Sequence, residues 1–205
     1  MSQAGIASVP SARRPFLLLL LLLGTAYLAW LIVFWPGVLG EDSAAILMEA
    51  ENPAAFQSGK TAFWYYFVQL LYAYSRREGL PIAAALLIGA IVFARILAWY
   101  WSHGLRKSLV FALLFICLAP HTIYFLGSLY PDGLFAVCAA GMFFELWIIL
   151  KQRSASRASL AMLTLTLPFA AFARPNGLVF LLPAVVALVV VNGRGRRWLA
   201  VSLGA

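Results

Sequence analysis

Along this chain apolar positions do not alternate with polar ones; they run together in blocks of about twenty, and the polar residues collect between the blocks. A helix crossing about 30 Å of hydrocarbon at about 1.5 Å per residue needs about 20 mainly apolar residues. The blocks predict spans over Phe16–Trp35, Leu80–Trp101, Ser108–Leu129, Leu134–Leu150, Leu160–Phe172 and Leu178–Val191. The first run is too long for the core of a cleaved signal peptide, and Gly24-Thr25-Ala26 is a poor cleavage site, so an uncleaved anchor is expected. Trp198–Ala205 reads as the start of a further, truncated span: either the chain is a fragment of a longer protein or this end lies in the interface.

One apolar stretch breaks the pattern. Ala62–Tyr74 is too short to cross and carries aromatic residues suited to the membrane–water boundary. Basic clusters decide its placement. If it lies flat, then Arg13/Arg14, Arg106/Lys107, Lys151/Arg153/Arg157 and Arg194/Arg196/Arg197 all face the cytoplasm, as the excess of basic residues in cytoplasmic loops requires. If it crosses, three of those four clusters are pushed outside. The expectation is therefore an all-α, polytopic transmembrane bundle of about six spans, with a cytoplasmic N-terminus and one interfacial helix inside an outer loop over residues 36–79.

Composition agrees. Of 205 residues, 64% are hydrophobic and 11% charged, with a mean hydropathy of +0.92. A water-soluble domain has about 45–50% apolar and about 25% charged residues, so this chain could not cover its own surface in water. The net charge of +8 is spread in short clusters rather than along a stripe, which argues against nucleic-acid binding. Cys117 and Cys138 both fall in apolar runs and indicate no redox compartment. His103 and His121, well separated and without a cysteine partner, make a zinc site unattractive; no metal or cofactor is expected.

Six of the seven carboxylates fall in the outward stretches: Glu41, Asp42, Glu49, Glu51, Glu78 and Asp132. Glu41-Asp42-Ser43, at the end of the first span, can supply a general base for a hydroxyl acceptor, or can be a solvated acidic loop that caps a helix at Ala44–Ala50. Asp132, in Tyr130-Pro131-Asp132-Gly133, is either a functional carboxylate near lipid or ordinary turn chemistry. Arg174, in Ala173-Arg174-Pro175-Asn176-Gly177, suits bidentate phosphate binding, or snorkels to headgroups. Lys60, Arg76 and Arg77 carry the same two readings. Arg95 and Glu145 lie inside spans, where mutual pairing or snorkelling is expected.

The order of these features resembles the N-terminal part of the GT-C superfamily of membrane glycosyltransferases, which use polyprenyl-phosphate sugars and include the protein O-mannosyltransferases and the aminoarabinose transferases of lipid A. The stretches that carry the resemblance are Trp35-Pro36-Gly37 through Glu41-Asp42-Ser43, then Lys60–Tyr74, Tyr130-Pro131-Asp132-Gly133-Leu134-Phe135 and Ala173-Arg174-Pro175-Asn176-Gly177. The family commonly places His-Pro-Pro or Lys-Pro-Pro where this chain has Lys60-Thr61-Ala62, and its members are usually far longer. The resemblance implies a sugar transferase of the cell envelope, in the bacterial inner membrane, acting on its outer face. Asp42, or failing that Glu41, would be the catalytic base; Lys60 and Arg174 would hold the lipid phosphate, and Asp132 would order the site or bind a sugar hydroxyl. The implied partners are the polyprenyl-phosphate sugar donor, membrane lipid and an acceptor. Two other readings stand beside it: a non-catalytic or truncated membrane protein, and a transporter for lipid-linked sugars. A transporter should carry its polar groups near the bilayer midplane, whereas here they gather at the outer boundary.

Overall fold

The computed structural model describes residues 13–55 and 59–190, and among these every regular element is helical. In order they are α1 (Arg13–Val33), α2 (Glu41–Glu51), α3 (Ala62–Ser75), α4 (Gly79–Ser102), α5 (Arg106–Leu118), α6 (Pro120–Leu126), α7 (Pro131–Gln152), α8 (Arg157–Phe172) and α9 (Leu181–Val190), with short 3₁₀ turns at Pro53–Ala55 and Pro175–Phe180. Three of these, α1, α4 and α7, are long and apolar enough to cross a bilayer, and α5 with α6 makes a fourth such stretch, bent by 60°. The chain is an all-helical, multi-pass membrane protein.

The burial pattern suits lipid rather than water. α1 buries Leu19, Leu23, Tyr27 and Leu31, a stripe at four-residue spacing, and leaves Leu17, Leu18, Leu21 and Leu22 exposed. A leucine-rich outer face is stable only where hydrocarbon covers it. α4 is the central element: it packs against α1 on one side and α7 on the other, with α3, α5, α6 and α8 also touching it. Two hydroxyls bond back within their own helices, Thr166 to the Met162 carbonyl at 2.8 Å and Ser102 to that of Ala98 at 2.8 Å, whereas the Tyr27 hydroxyl of α1 is buried without a partner among the described residues.

The expected interfacial segment is α3, a helix of 14 residues, or about 21 Å. That is short of the hydrocarbon thickness. It buries Trp64, Tyr65 and Val68 against its neighbours and turns Tyr66, Leu70 and Tyr74 outward. The expected span at Ser108–Leu129 is not one straight helix. Pro120 pushes Ala119 into an extended conformation (φ −70°, ψ 115°), so α5 stops and α6 restarts in a new direction. The expected spans at 160–172 and 178–191 correspond to α8, of 16 residues, and to α9, of which 10 residues are described, both under the about 20 that a straight span needs. Val191 and the segment from Trp198 lie outside the described residues, as do Arg194, Arg196 and Arg197.

Arg95 of α4 and Glu145 of α7 form the ion pair expected of them. The Arg95 Nε donates to Oε1 at 2.7 Å and Nη2 to Oε2 at 3.2 Å, and the Glu145 side chain is wholly buried. One turn earlier on α7, Gly141 lets three helices close together, since a Cβ there would stand 2.6 Å from Val92 Cγ1 and 3.2 Å from Thr166 Cγ2. Close approach at Gly141 and the two-toothed pair at Glu145 thus lie on one face of α7 and set its register on α4.

Candidate functional site

The site is assembled at the end of the bundle where α2 and α3 lie, from four short stretches far apart in sequence. Its anchor is Leu129, in the connection between α6 and α7. Its backbone N–H donates to Ser43 Oγ of α2 at 3.1 Å, and its carbonyl accepts from Trp64 Nε1 of α3 at 3.0 Å. Ser43, Trp64 and Leu129 are all buried, so both bonds are shielded from water. Nearby, Val38 N–H donates to the Gly127 carbonyl at 2.9 Å. These contacts hold the start of α2 against the start of α7.

A second tie runs through Thr61. Its hydroxyl caps α3 by accepting from Trp64 N–H at 3.3 Å, and donates to the Ala173 carbonyl at 3.2 Å. Lys60 and Arg174 stand directly beside these two residues, so one hydrogen bond brings both candidate phosphate-binding cations into the same neighbourhood.

Each cation meets a carboxylate. Lys60 Nζ lies 2.6 Å from Asp42 Oδ2, and Arg174 pairs with Asp132. The four candidate residues therefore come together as two ion pairs, and the contacts close into a circuit: Asp42 to Lys60, Thr61 to Ala173, Arg174 to Asp132, and the residue 128–130 connection back to α2. Each cation is matched by a carboxylate, with exposed Glu41 adjoining Asp42, so this is not an open basic pocket. An incoming phosphate would have to share or displace a carboxylate at each cation.

Two local readings change. Glu41 and Asp42 do not cap a helix over Ala44–Ala50: α2 already begins at Glu41, its N-cap is Gly40, and no side-chain capping bond is made. The two acids occupy the first helical turn, where the helix dipole favours negative charge. Asp132 is likewise not in a free turn but in the first turn of α7, with Pro131 at its start. Arg174 pairs with Asp132 while its side chain stays 41% exposed. Arg76 and Arg77 stay exposed, with Arg76 in the left-handed position that ends α3 (φ 53°). Of the histidines, His103 stacks on Trp99 and His121 packs by its edge on Phe115. Among the described residues no three of His, Cys, Asp and Glu gather as a metal site would require.

Sequence reasoning missed Tyr130. Its hydroxyl packs against Gly40, where a Cβ would overlap the phenol oxygen; Gly40 is thus small because Tyr130 is there. Its ring pairs with that of Tyr124, centroids 6.2 Å apart and planes 32° from parallel. Partial burial, a hydrogen bond with Tyr124 and the nearby Asp42 and Glu41 carboxylates all hold the Tyr130 phenol above its ordinary value of 10.0, so it stays protonated at neutral pH. The one signal in the sequence was an aromatic residue just before Pro131-Asp132.

From Asp132 a cleft runs down the bundle. A cavity of about 340 Å³ lies between α4, α6 and α7, lined by Phe93, His121, Thr122, Phe125, Asp132 and Val137 among others. A second, of about 660 Å³, shares Phe93 and Thr122 with it and continues along α5 to Lys107. Residues of both α5 and α6, on either side of the 60° bend at Pro120, line this cleft. No protein-family model, curated protein or solved structure matches this chain.

Proposed function

We propose that this chain is the catalytic membrane part of a GT-C-type glycosyltransferase, moving a sugar from a polyprenyl-phosphate donor to an acceptor on the outer face of the bacterial inner membrane. The observation that carries the proposal is the convergence of Asp42, Lys60, Asp132 and Arg174, drawn from four separate stretches, into one circuit at one end of the bundle. In this reading Asp42 takes the proton of the acceptor hydroxyl as it attacks the anomeric carbon, and the bond from that carbon to the phosphate oxygen breaks. Lys60 and Arg174 turn from their carboxylates to the phosphate, whose charge rises as it leaves. Asp132, released by Arg174, is then available to a sugar hydroxyl. The apolar cleft that reaches Asp132 has the shape for the donor's hydrocarbon chain.

The same two ion pairs also support a second reading, a non-catalytic membrane protein in which they are plain structural ties. The two are separated by incubating membranes containing this chain, and any longer parent, with a panel of polyprenyl-phosphate sugars. The transferase reading expects acceptor-dependent release of polyprenyl phosphate from at least one donor; no release from any donor would leave the structural reading.

Sidedness gives a further test. The proposal places about six spans across the membrane with the N-terminus in the cytoplasm, and α2 and α3 together outside. In a background with Cys117 and Cys138 replaced by Ala, single cysteines at Glu51 and Arg77, both exposed and flanking α3, should label with an impermeant reagent from outside. A cysteine at Lys107 should label only after permeabilisation. Opposite behaviour of positions 51 and 77 would mean that α3 crosses.

A further inference from the structure

We propose that Tyr130, with Tyr124 beside it, forms the platform on which the sugar ring of the donor rests; this deepens the transferase reading and rests on it. The argument begins with position. Tyr130 follows directly on Leu129, whose N–H and carbonyl are both held by buried partners, so its backbone is as firmly placed as any in the site. Two residues further on is Asp132, paired with Arg174; across the contact with Gly40 are Glu41 and Asp42, the latter paired with Lys60. Tyr130 thus stands between the start of α2 and the start of α7, the two helices that carry Asp42 and Asp132.

Chemistry points the same way. Tyr130 is half-buried and Tyr124 40% exposed, and their rings lie side by side with centroids 6.2 Å apart and planes tilted by 32°. A pyranose ring has one face of polarised C–H groups and an edge of hydroxyls. The first suits the electron-rich face of an aromatic ring, and the second suits carboxylates that accept hydrogen bonds. A lipid phosphate alone would need neither. The combination of a fixed aromatic floor with Asp42, Glu41 and Asp132 around it therefore selects the sugar rather than the lipid.

Gly40 belongs to the same device. With only a hydrogen at its Cα, it lets the phenol tuck against the start of α2. A methyl group there would push the Tyr130 ring outward while leaving the ring itself, both ion pairs and the Leu129 clamp chemically unchanged.

The experiment measures equilibrium binding to the full chain in lipid nanodiscs. The ligands are polyprenyl phosphate without sugar and the mannose, glucose, galactose and aminoarabinose conjugates of the same lipid. Wild type should bind at least one conjugate more tightly than the bare lipid phosphate. Tyr130→Ala should lose about tenfold in affinity for that conjugate, while its affinity for the bare lipid stays within about twofold. Tyr130→Phe, which keeps the ring, should retain most of the preference. Gly40→Ala should weaken it as Tyr130→Ala does, and stands as the second variant should truncation of Tyr130 prevent folding. Equal losses for conjugate and bare lipid, or an unchanged sugar preference in Tyr130→Ala and Gly40→Ala, would overturn the platform while leaving the transferase reading standing. Wild-type protein that binds none of the lipids would overturn both.

Discussion

Asp42→Asn should abolish sugar transfer, lowering the rate by about 10²–10⁴, the usual worth of a positioned general base. Asn keeps the size of Asp and can still accept a hydrogen bond from Lys60, but it cannot take a proton from the acceptor. Donor affinity should therefore change little, and the loss should appear in the rate of the chemical step. Arg174→Ala is expected to differ: its proposed partner is the phosphate, present before chemistry as well as after it, so donor binding weakens together with the rate. That substitution also strips Asp132 of its partner, and Arg174→Lys, which restores a charge without the fork, should recover only part of the loss. Glu41→Gln is the internal control, since Glu41 adjoins Asp42 at the start of α2 but lies on the exposed side. All four variants are measured as transfer rate and donor affinity, normalised to folded protein. Near-normal transfer in Asp42→Asn with loss in Glu41→Gln would move the base by one residue. Near-normal transfer in both would leave the two ion pairs as structural ties and the chain as a non-catalytic membrane protein.

Arg95→Leu should have the largest effect on folding. It leaves the Glu145 carboxylate wholly buried between α4 and α7 with no partner. Breaking one side of a buried pair costs about 3–5 kcal/mol, against a total stability of about 5–15 kcal/mol for an ordinary domain. The yield of monodisperse protein and its thermal midpoint should both fall sharply. Adding Glu145→Gln to Arg95→Leu removes the stranded charge and should restore much of what was lost, because Gln can bond within its own helix or to a neighbouring carbonyl. Glu145→Gln alone should be milder, since Arg95 keeps 16% of its side chain exposed and can reach toward the boundary. A double-mutant cycle gives the coupling directly, and simple additivity of the two single losses would show that the residues do not interact.

Much of this protein was legible in its sequence for one reason: a bilayer imposes a length and a composition that can be read locally. The predicted spans Leu80–Trp101 and Leu134–Leu150 correspond to α4 and α7 with ends moved by a few residues, and the short aromatic segment Ala62–Tyr74 is a separate helix, α3. The pairing of Arg95 with Glu145 follows from the cost of polar groups in hydrocarbon, which needs no knowledge of neighbours. The break at Pro120 was visible as a residue but not as a bend. Hydropathy averaged over Ser108–Leu129 is insensitive to one missing backbone N–H, while the path of the chain is not.

The sequence by itself determined the candidates: Asp42, Lys60, Asp132 and Arg174 stood out singly, as charges at the ends of apolar runs. Only the tertiary structure decided who meets whom. Asp42 with Lys60, and Asp132 with Arg174, depend on Leu129 being held between Ser43 and Trp64 and on Thr61 reaching Ala173. Those hydrogen bonds join residues up to 112 positions apart, and no local periodicity or composition encodes such a separation. Tyr130 is the clearest case. One tyrosine among eight, marked only by the Pro131-Asp132 that follows it, gives no hint of its partner, and its place over Gly40 exists only because α2, α3 and α7 are folded against one connection.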